Sequence, residues 1–234
     1  MSGTIRFLGH AFAEFTTSDG KVVLFDPWTK DGGNPACPIE VSEIERADLV
    51  LVSHDHFDHL ASAVDICNKT GAFLGGPVQT MNRLTSEGFN SEKVVNFGSG
   101  YMVGGGVTFD WVEVTAIPAF HSSDTACAVG TILKATDGTT VYHAGDTSVF
   151  GDMALFGRLY PMDVAFLPIG GVFTMDAYQA GEAVKLLQPK VAIPIHYASF
   201  PIIAQTADPF IKECGKKAPN VKVAALAAGE ELKI

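Results

Sequence analysis

An α/β fold of four layers, an αββα sandwich of two mixed β-sheets with helices on the outer faces, is predicted by three observations. Short β-prone runs recur along the whole chain, helical periodicity falls between them, and the order of runs in the first half returns in the second from about Gly105. Each half is therefore expected to contribute one sheet. No Pro/Ser linker or shift of composition marks a boundary, and 234 residues that are 47% hydrophobic suffice for one well-buried core. Residues 1–234 are read as a single domain.

In chain order, strands are read at residues 5–8, 22–25, 49–52, 107–114 and 164–167, most of them bounded by Gly, Pro, Asp or Asn. Helices are read at 60–69 and 78–87, and the clearest at 176–187. There Ala177, Ala180, Ala183, Val184 and Leu187 share one face, and Pro189 ends the helix because it lacks the amide N–H that a further turn needs. Further apolar runs precede His121, Asp146 and His196, which places these side chains where strands end.

Composition narrows the function. The formal charge of −10 opposes a nucleic-acid partner, whose phosphates are held by clustered Lys and Arg, and no such cluster is present. The N-terminus lacks a basic stretch followed by an apolar core, and no apolar run approaches the roughly 18 residues of a membrane span. Cys37, Cys67, Cys127 and Cys214 are too widely spaced to read as a redox or zinc pair, so they are expected as reduced thiols in a cytoplasmic protein. Nothing in the sequence sets an oligomeric state.

The informative segment is Ser53-His54-Asp55-His56-Phe57-Asp58-His59, directly after the apolar run 49–52. Three imidazoles and a carboxylate at the end of a buried strand are costly to desolvate unless a metal or hydrogen bonds compensate them. The chain has seven histidines, and the spacing H-x-H-x-D-H arises by chance on the order of once in a thousand or less. The plain alternative, a solvated loop capping the helix near Leu60, needs one such residue and not four. His121, Asp146 and His196 are each weak signals alone. Together with the cluster they make five imidazoles and two carboxylates, a count and type that suit two borderline divalent ions.

This order, with Asp146 in a Gly-Asp-Thr and Asp26 upstream, resembles the five-motif signature of the metallo-β-lactamase superfamily from Asp26 to His196. Leu8-Gly9-His10-Ala11, Asp26-Pro27, Tyr142 to Thr147, and Leu167 to Gly171 with Phe173 to Asp176 are similar to one branch of it. That branch comprises uncharacterised metal-dependent hydrolases related to the ascorbate-6-phosphate lactonase and N-acylphosphatidylethanolamine phospholipase D groups. The resemblance implies a single metallo-β-lactamase-like hydrolase domain. It implies His54, His56 and His121 on one ion, Asp58, His59 and His196 on the second, and Asp146 bridging them. Zinc leads among the implied metals, with manganese, iron and nickel open.

On this reading a metal-bridging hydroxide attacks an ester, lactone or phosphodiester bond of a small molecule, and Asp58 both binds metal and orients the nucleophile. Asp26 is expected to orient a metal-bound imidazole, and Asp55 to hydrogen-bond backbone or a ligand imidazole. His10 and His143 stand between structural and supporting roles, although a persisting strand would turn His143 away from Asp146. Tyr197 is a candidate donor to substrate, and Phe57, Phe150 and Phe173 are candidate cleft walls. No Lys or Arg lies in a ligand motif to clamp a phosphate, and loop 28–38 shapes a pocket the sequence does not position. Two other readings stay open: an iron-dependent oxidoreductase resembling persulfide dioxygenases, and a non-catalytic metal-stabilised binding protein.

Overall fold

The computed structural model describes residues 3–234. Met1 and Ser2, which open the stretch read for a leader, lie outside the described residues. The chain begins with β1 (Thr4–Phe7), β2 (Ala13–Thr16), β3 (Val22–Phe25) and β4 (Leu49–Leu51). Then come α1 (Phe57–Leu60), α2 (Ala63–Thr70), β5 (Phe73–Gly75), α3 (Val78–Ser86) and the short, kinked α4 (Val95–Gly98). The next elements are β6 (Gly106–Phe109), β7 (Val112–Pro118), β8 (Val129–Ala135), β9 (Thr140–His143) and α5 (Met153–Leu159). The last are β10 (Val164–Pro168), α6 (Ala177–Leu187), β11 (Val191–Ile195), α7 (Asp208–Lys217), β12 (Lys222–Val223) and β13 (Glu231–Lys233).

Two mixed sheets result, ordered β13-β1-β2-β3-β4-β5 and β12-β11-β10-β9-β8-β7-β6. In the first, β1 to β3 pair antiparallel and β3 to β5 parallel. In the second, β6 to β9 are antiparallel and β9 to β12 parallel. Side-chain alternation assigns each strand to two cores. Leu49 and Leu51 face the space between the sheets with Phe25, Leu133, Phe166 and Ile193, while Val50 and Val52 face the helix layer with Ile66, Leu74 and Met81. On β10, Val164 and Phe166 point inward, and Ala165 and Leu167 pack on Ala180, Ala183, Val184 and Leu187 of α6. Burial on both faces is why these strands read as unbroken apolar runs.

Helix α6 forms where its periodicity predicts, and Asp176 caps it by accepting the Gln179 N–H at 2.8 Å. Three expectations are corrected. The run 107–114 is a hairpin: Phe109 pairs with Val112, and Asp110 and Trp111 form the turn. The helix expected at 60–69 is interrupted at Ala61 and Ser62, where the Ser62 hydroxyl accepts the Thr29 N–H at 3.0 Å and ties the segment to the loop after β3. The halves are also not wholly segregated, because β13 leaves the second half and pairs antiparallel with β1.

The parallel strands matter most for the site. β4 and β11 end on one rim together with β7 and β9. Two backbone hydrogen bonds join the sheets there: Val129 N–H to Ser53 O at 3.0 Å, and His196 N–H to His10 O at 2.7 Å.

Candidate metal centre

Four segments deliver the polar side chains to this rim. The turn after β4 carries Ser53 to His56, and α1 adds Asp58 and His59; His121 follows β7, Asp146 follows β9, and His196 follows β11. Close approach demands unusual backbone. His10, Asp26, His196 and Ala198 all have φ between 45° and 58°, at a cost of roughly 1–3 kcal/mol for each non-glycine residue so held. Gly145, at φ +58°, lets the Asp146 turn lie on Ser53, whose Cβ would stand 2.5 Å from any Cβ at that position.

The seven residues expected as ligands come together. One donor atom each from His54, His56 and His121 lies within 4.8 Å of the others, and the same holds for His54, His59 and Asp146. A third group joins Asp58, His59 and His196, and adds His10. Asp146 thus shares a group with members of both triplets. His54 Nε2 and His121 Nε2 stand 2.9 and 3.3 Å from His56 Nδ1, while His196 Nε2 and His121 Nε2 stand 3.0 and 3.4 Å from Asp146 Oδ2. Ligands about 2.0–2.1 Å from a tetrahedral ion are about 3.3 Å apart, so the spacing fits shared cations.

Proton placement strengthens that fit. Asp26 accepts the Ser53 N–H and Ser53 hydroxyl, both at 2.7 Å, and the His59 Nδ1–H at 2.8 Å. Since its own proton is given to Asp26, the Ser53 hydroxyl accepts the His54 Nδ1–H at 2.9 Å. Both imidazoles therefore turn Nε2 toward the cluster. His59 Nε2 faces Asp146 Oδ1 at 3.4 Å without hydrogen-bond alignment, and both atoms are buried and unpartnered. A lone pair opposite a carboxylate oxygen is repulsive until a proton or cation stands between them. Accordingly, burial opposes a charge on His59, yet Asp146 and Asp26 outweigh it and raise its pKa well above the ordinary value. Burial likewise opposes ionisation of Asp146, and His196 and His59 overcome it, keeping that carboxyl well below its usual range. At His54 burial prevails: it lowers the imidazole to about 3, which leaves its lone pair free at neutral pH.

The supporting residues divide by what they touch. Asp55 accepts from the Ser123 and Thr125 hydroxyls and the Asp124 N–H, and so pins the loop that follows His121. Burial of Asp55 resists ionisation, but these bonds win and bring its pKa to about 2. His10 holds Asp58 Oδ2 at 3.0 Å through Nε2 and meets the Ser199 hydroxyl at 2.6 Å through Nδ1. Burial lowers His10 to about 4, with the Asp58 hydrogen bond resisting. His143 is spent on structure: Nε2–H donates to Ala11 O at 2.9 Å, Nδ1 accepts the Gly145 N–H at 3.2 Å, and the ring stacks on Phe25.

Tyr197 requires correction. Its ring stacks on Phe7 and its hydroxyl points to Leu226 O at 3.5 Å, because it lies on the side of the chain opposite His196, within the packed cores. Phe150 also packs away, against Phe120 and Phe156. Phe57 and Phe173 do line the cleft, a cavity of about 820 Å³ floored by His56, Asp58, His121, Asp146 and His196. Arg83, Phe200 and Ile202 also line it, and only the folded chain brings them there.

The description "Beta-lactamase superfamily domain" belongs to the family model that matches residues 21–197. A UPF0173 metal-dependent hydrolase of Nitratidesulfovibrio vulgaris is 44% identical over 228 residues, 97% of this chain and 94% of the relative. One from Thermococcus kodakarensis is 42% identical over 237 residues, 98% of this chain and 99% of its own. Among solved structures, Igni18, a novel metallo hydrolase from the hyperthermophilic archaeon Ignicoccus hospitalis, matches with a TM-score of 0.89 and 34% identity over 100% of this chain and 99% of that one.

Proposed function

As a member of the β-lactamase superfamily and of its UPF0173 metal-dependent hydrolases, the chain is a metal-dependent hydrolase, and we propose that it cleaves an ester, lactone or phosphodiester bond of a small molecule. The observation that carries this reading is the convergence of imidazole and carboxylate side chains, with His59 Nε2 and Asp146 Oδ1 left unpartnered, beneath a cavity that a small molecule can enter. His54, His56 and His121 would hold one divalent ion, Asp58, His59 and His196 a second, with Asp146 between them. Zinc suits the imidazole-rich set best, and manganese, iron or nickel are accommodated by the same donors. Bound there, two such ions supply a water that ionises near neutral pH and a Lewis-acid contact for the substrate's carbonyl or phosphoryl oxygen.

The protein's own groups do the rest. Asp26 and Ser53 hold the Nδ1–H of His59 and His54, so that both Nε2 atoms face inward before any ligand arrives, and the second proton that Asp146 and Asp26 favour on His59 is the one an ion would displace. His10 restrains one oxygen of Asp58 and leaves the other to orient the attacking water. Water oxygen adds to the acyl carbon or phosphorus, the bond to the leaving oxygen breaks, and that oxygen takes up the proton.

Residues 1–234 act as one hydrolase domain on this reading. Unpaired Cys37, Cys67, Cys127 and Cys214 suit a reducing cytoplasm, and the charge of −10 disfavours nucleic acid as substrate. No helix among the described residues is long and apolar enough to cross a membrane.

The test is to purify the protein without added metal, count ions per chain, and screen p-nitrophenyl phosphodiesters, lactones and thioesters beside His56→Ala. Two ions per wild-type chain, fewer in the variant, and an activity loss of about a hundredfold or more are expected. Undiminished turnover in His56→Ala would overturn the assignment. Tightly held iron with oxygen uptake on a persulfide would redirect it to oxidoreduction.

A further inference from the structure

The metal-ligand floor accounts for only part of the cavity. One wall is built from Phe57 at the start of α1, Phe173 in the loop after β10, and Phe200 and Ile202 in the loop after β11. Three of these keep large apolar surfaces in water: Phe57 is 64% exposed, Phe173 55% and Ile202 64%. Single exposed apolar residues are ordinary, but three from separate segments beside one polar floor form a patch.

The wall is also braced. Buried Trp28 stacks behind Phe200 at 5.5 Å and meets Phe57 edge-on at 5.5 Å, and Phe57 and Phe200 approach each other at 6.3 Å. Rings held in this way stay open without collapsing onto one another, which lowers the ordering cost of binding. Their position inside a cleft of about 820 Å³, within the range of small-molecule sites, and above the metal ligands selects the occupant. A compact polar substrate would leave the wall wet.

Building on the hydrolytic reading above, we propose that the substrate carries an alkyl, acyl or aromatic group that lies against Phe57, Phe173, Phe200 and Ile202 beside the bond cleaved. Burial of that group against the wall contributes to affinity, while the floor engages the scissile bond. The wall thereby selects among substrates of the same reactive group by their apolar length.

The experiment uses the metal-loaded protein and homologous series of probes: methyl to octyl phosphonates for calorimetric binding, and p-nitrophenyl acetate to octanoate with matching alkyl p-nitrophenyl phosphodiesters for turnover. Affinity and kcat/KM are expected to rise about fourfold per methylene until the wall is covered. Phe173→Ser and Ile202→Ser are expected to flatten both slopes while metal per chain is retained. Equal binding of methyl and octyl phosphonate would overturn the inference, and so would equal turnover of short and long esters, the latter leaving hydrolysis itself intact. A clear slope in binding with no hydrolysis of any probe would uphold the apolar subsite and sink the hydrolytic reading. Loss of a dimer in the two variants, measured by sedimentation and without any slope, would assign the wall to a second copy of the chain and end the proposal.

Discussion

Replacing Asp26 by Asn should cost metal affinity more distinctly than it costs the fold. Three donors meet this carboxylate: the Ser53 N–H and hydroxyl at 2.7 Å and His59 Nδ1–H at 2.8 Å. An amide offers one acceptor oxygen and one donor nitrogen. With its oxygen kept on the Ser53 N–H, the amide nitrogen confronts the other two donors. The least costly relief is loss of the Nδ1 proton, which leaves His59 protonated on Nε2 alone, the atom that faces Asp146 at 3.4 Å. That proton occupies the lone pair an ion would need. Metal affinity at the Asp58, His59 and His196 group should fall by about 10–100-fold, or about 1.4–2.7 kcal/mol. The metal-free protein should lose about 1–3 kcal/mol from the mismatched buried donor. Competition with a chromogenic chelator measures the first quantity, urea unfolding of the metal-free protein the second, and nitrogen-15 shifts of His59 report the tautomer. Two ions bound with wild-type affinity, or a His59 proton still on Nδ1, would refute the reasoning.

Two further outcomes follow from named contacts. Asp55 titrates near 2 in the folded chain against 3.8 for the free side chain. Its lowered value stabilises the fold fully above about pH 4 and is lost as the pH falls toward 2, on the order of 2 kcal/mol in all. In denaturant titrations the stability gap between wild type and Asp55→Asn should therefore narrow on acidification, and a constant gap from pH 6 to pH 3 (about the accessible range) would contradict the assignment. A Cβ added at Gly170 would stand 2.4 Å from His196 O and 3.0 Å from His196 Nδ1. Gly170→Ala should destabilise by about 1–3 kcal/mol and reduce ions per chain, whereas Gly151→Ala, with open space around it, should sit within about 0.5 kcal/mol of wild type. Matching melting curves for all three would show that the His196 turn has room to yield.

What was legible in the sequence was what is spelled locally. Three imidazoles and two carboxylates in six residues after an apolar run announce themselves, and His121, Asp146 and His196 were readable because each ends such a run. The Ala177–Leu187 helix was legible because its small apolar residues recur at helical spacing. The pieces that escaped are made by distance or by short elements. Ser199, Arg83, Phe200 and Ile202 have no neighbouring signal, since their significance arises only when the loops after β11 and helix α3 meet the floor. The hairpin at Asp110 and Trp111 was hidden because half-buried Trp111 continues the β-prone spelling through a turn. Tyr197 is a packed aromatic and not a substrate donor because adjacency in sequence to His196 is not adjacency in space: its ring stacks on Phe7 within the cores. Three-residue β13, alternating charged and apolar, carries too little pattern to be read as a strand at all.

That small strand has a bearing on how a nascent polypeptide matures. The outer edge of β1 is finished only when Glu231, Leu232 and Lys233 reach Arg6, Ile5 and Thr4. While a ribosome is still delivering the intervening segments, the β1 edge keeps a free row of amides and carbonyls, the arrangement that invites pairing with another chain. Contacts of such long sequence separation also close slowly once synthesis is over. Crowded, fast expression should therefore favour strand-exchanged dimers or inclusion bodies, and slower translation or a lower temperature should favour chains that have sealed their own sheet.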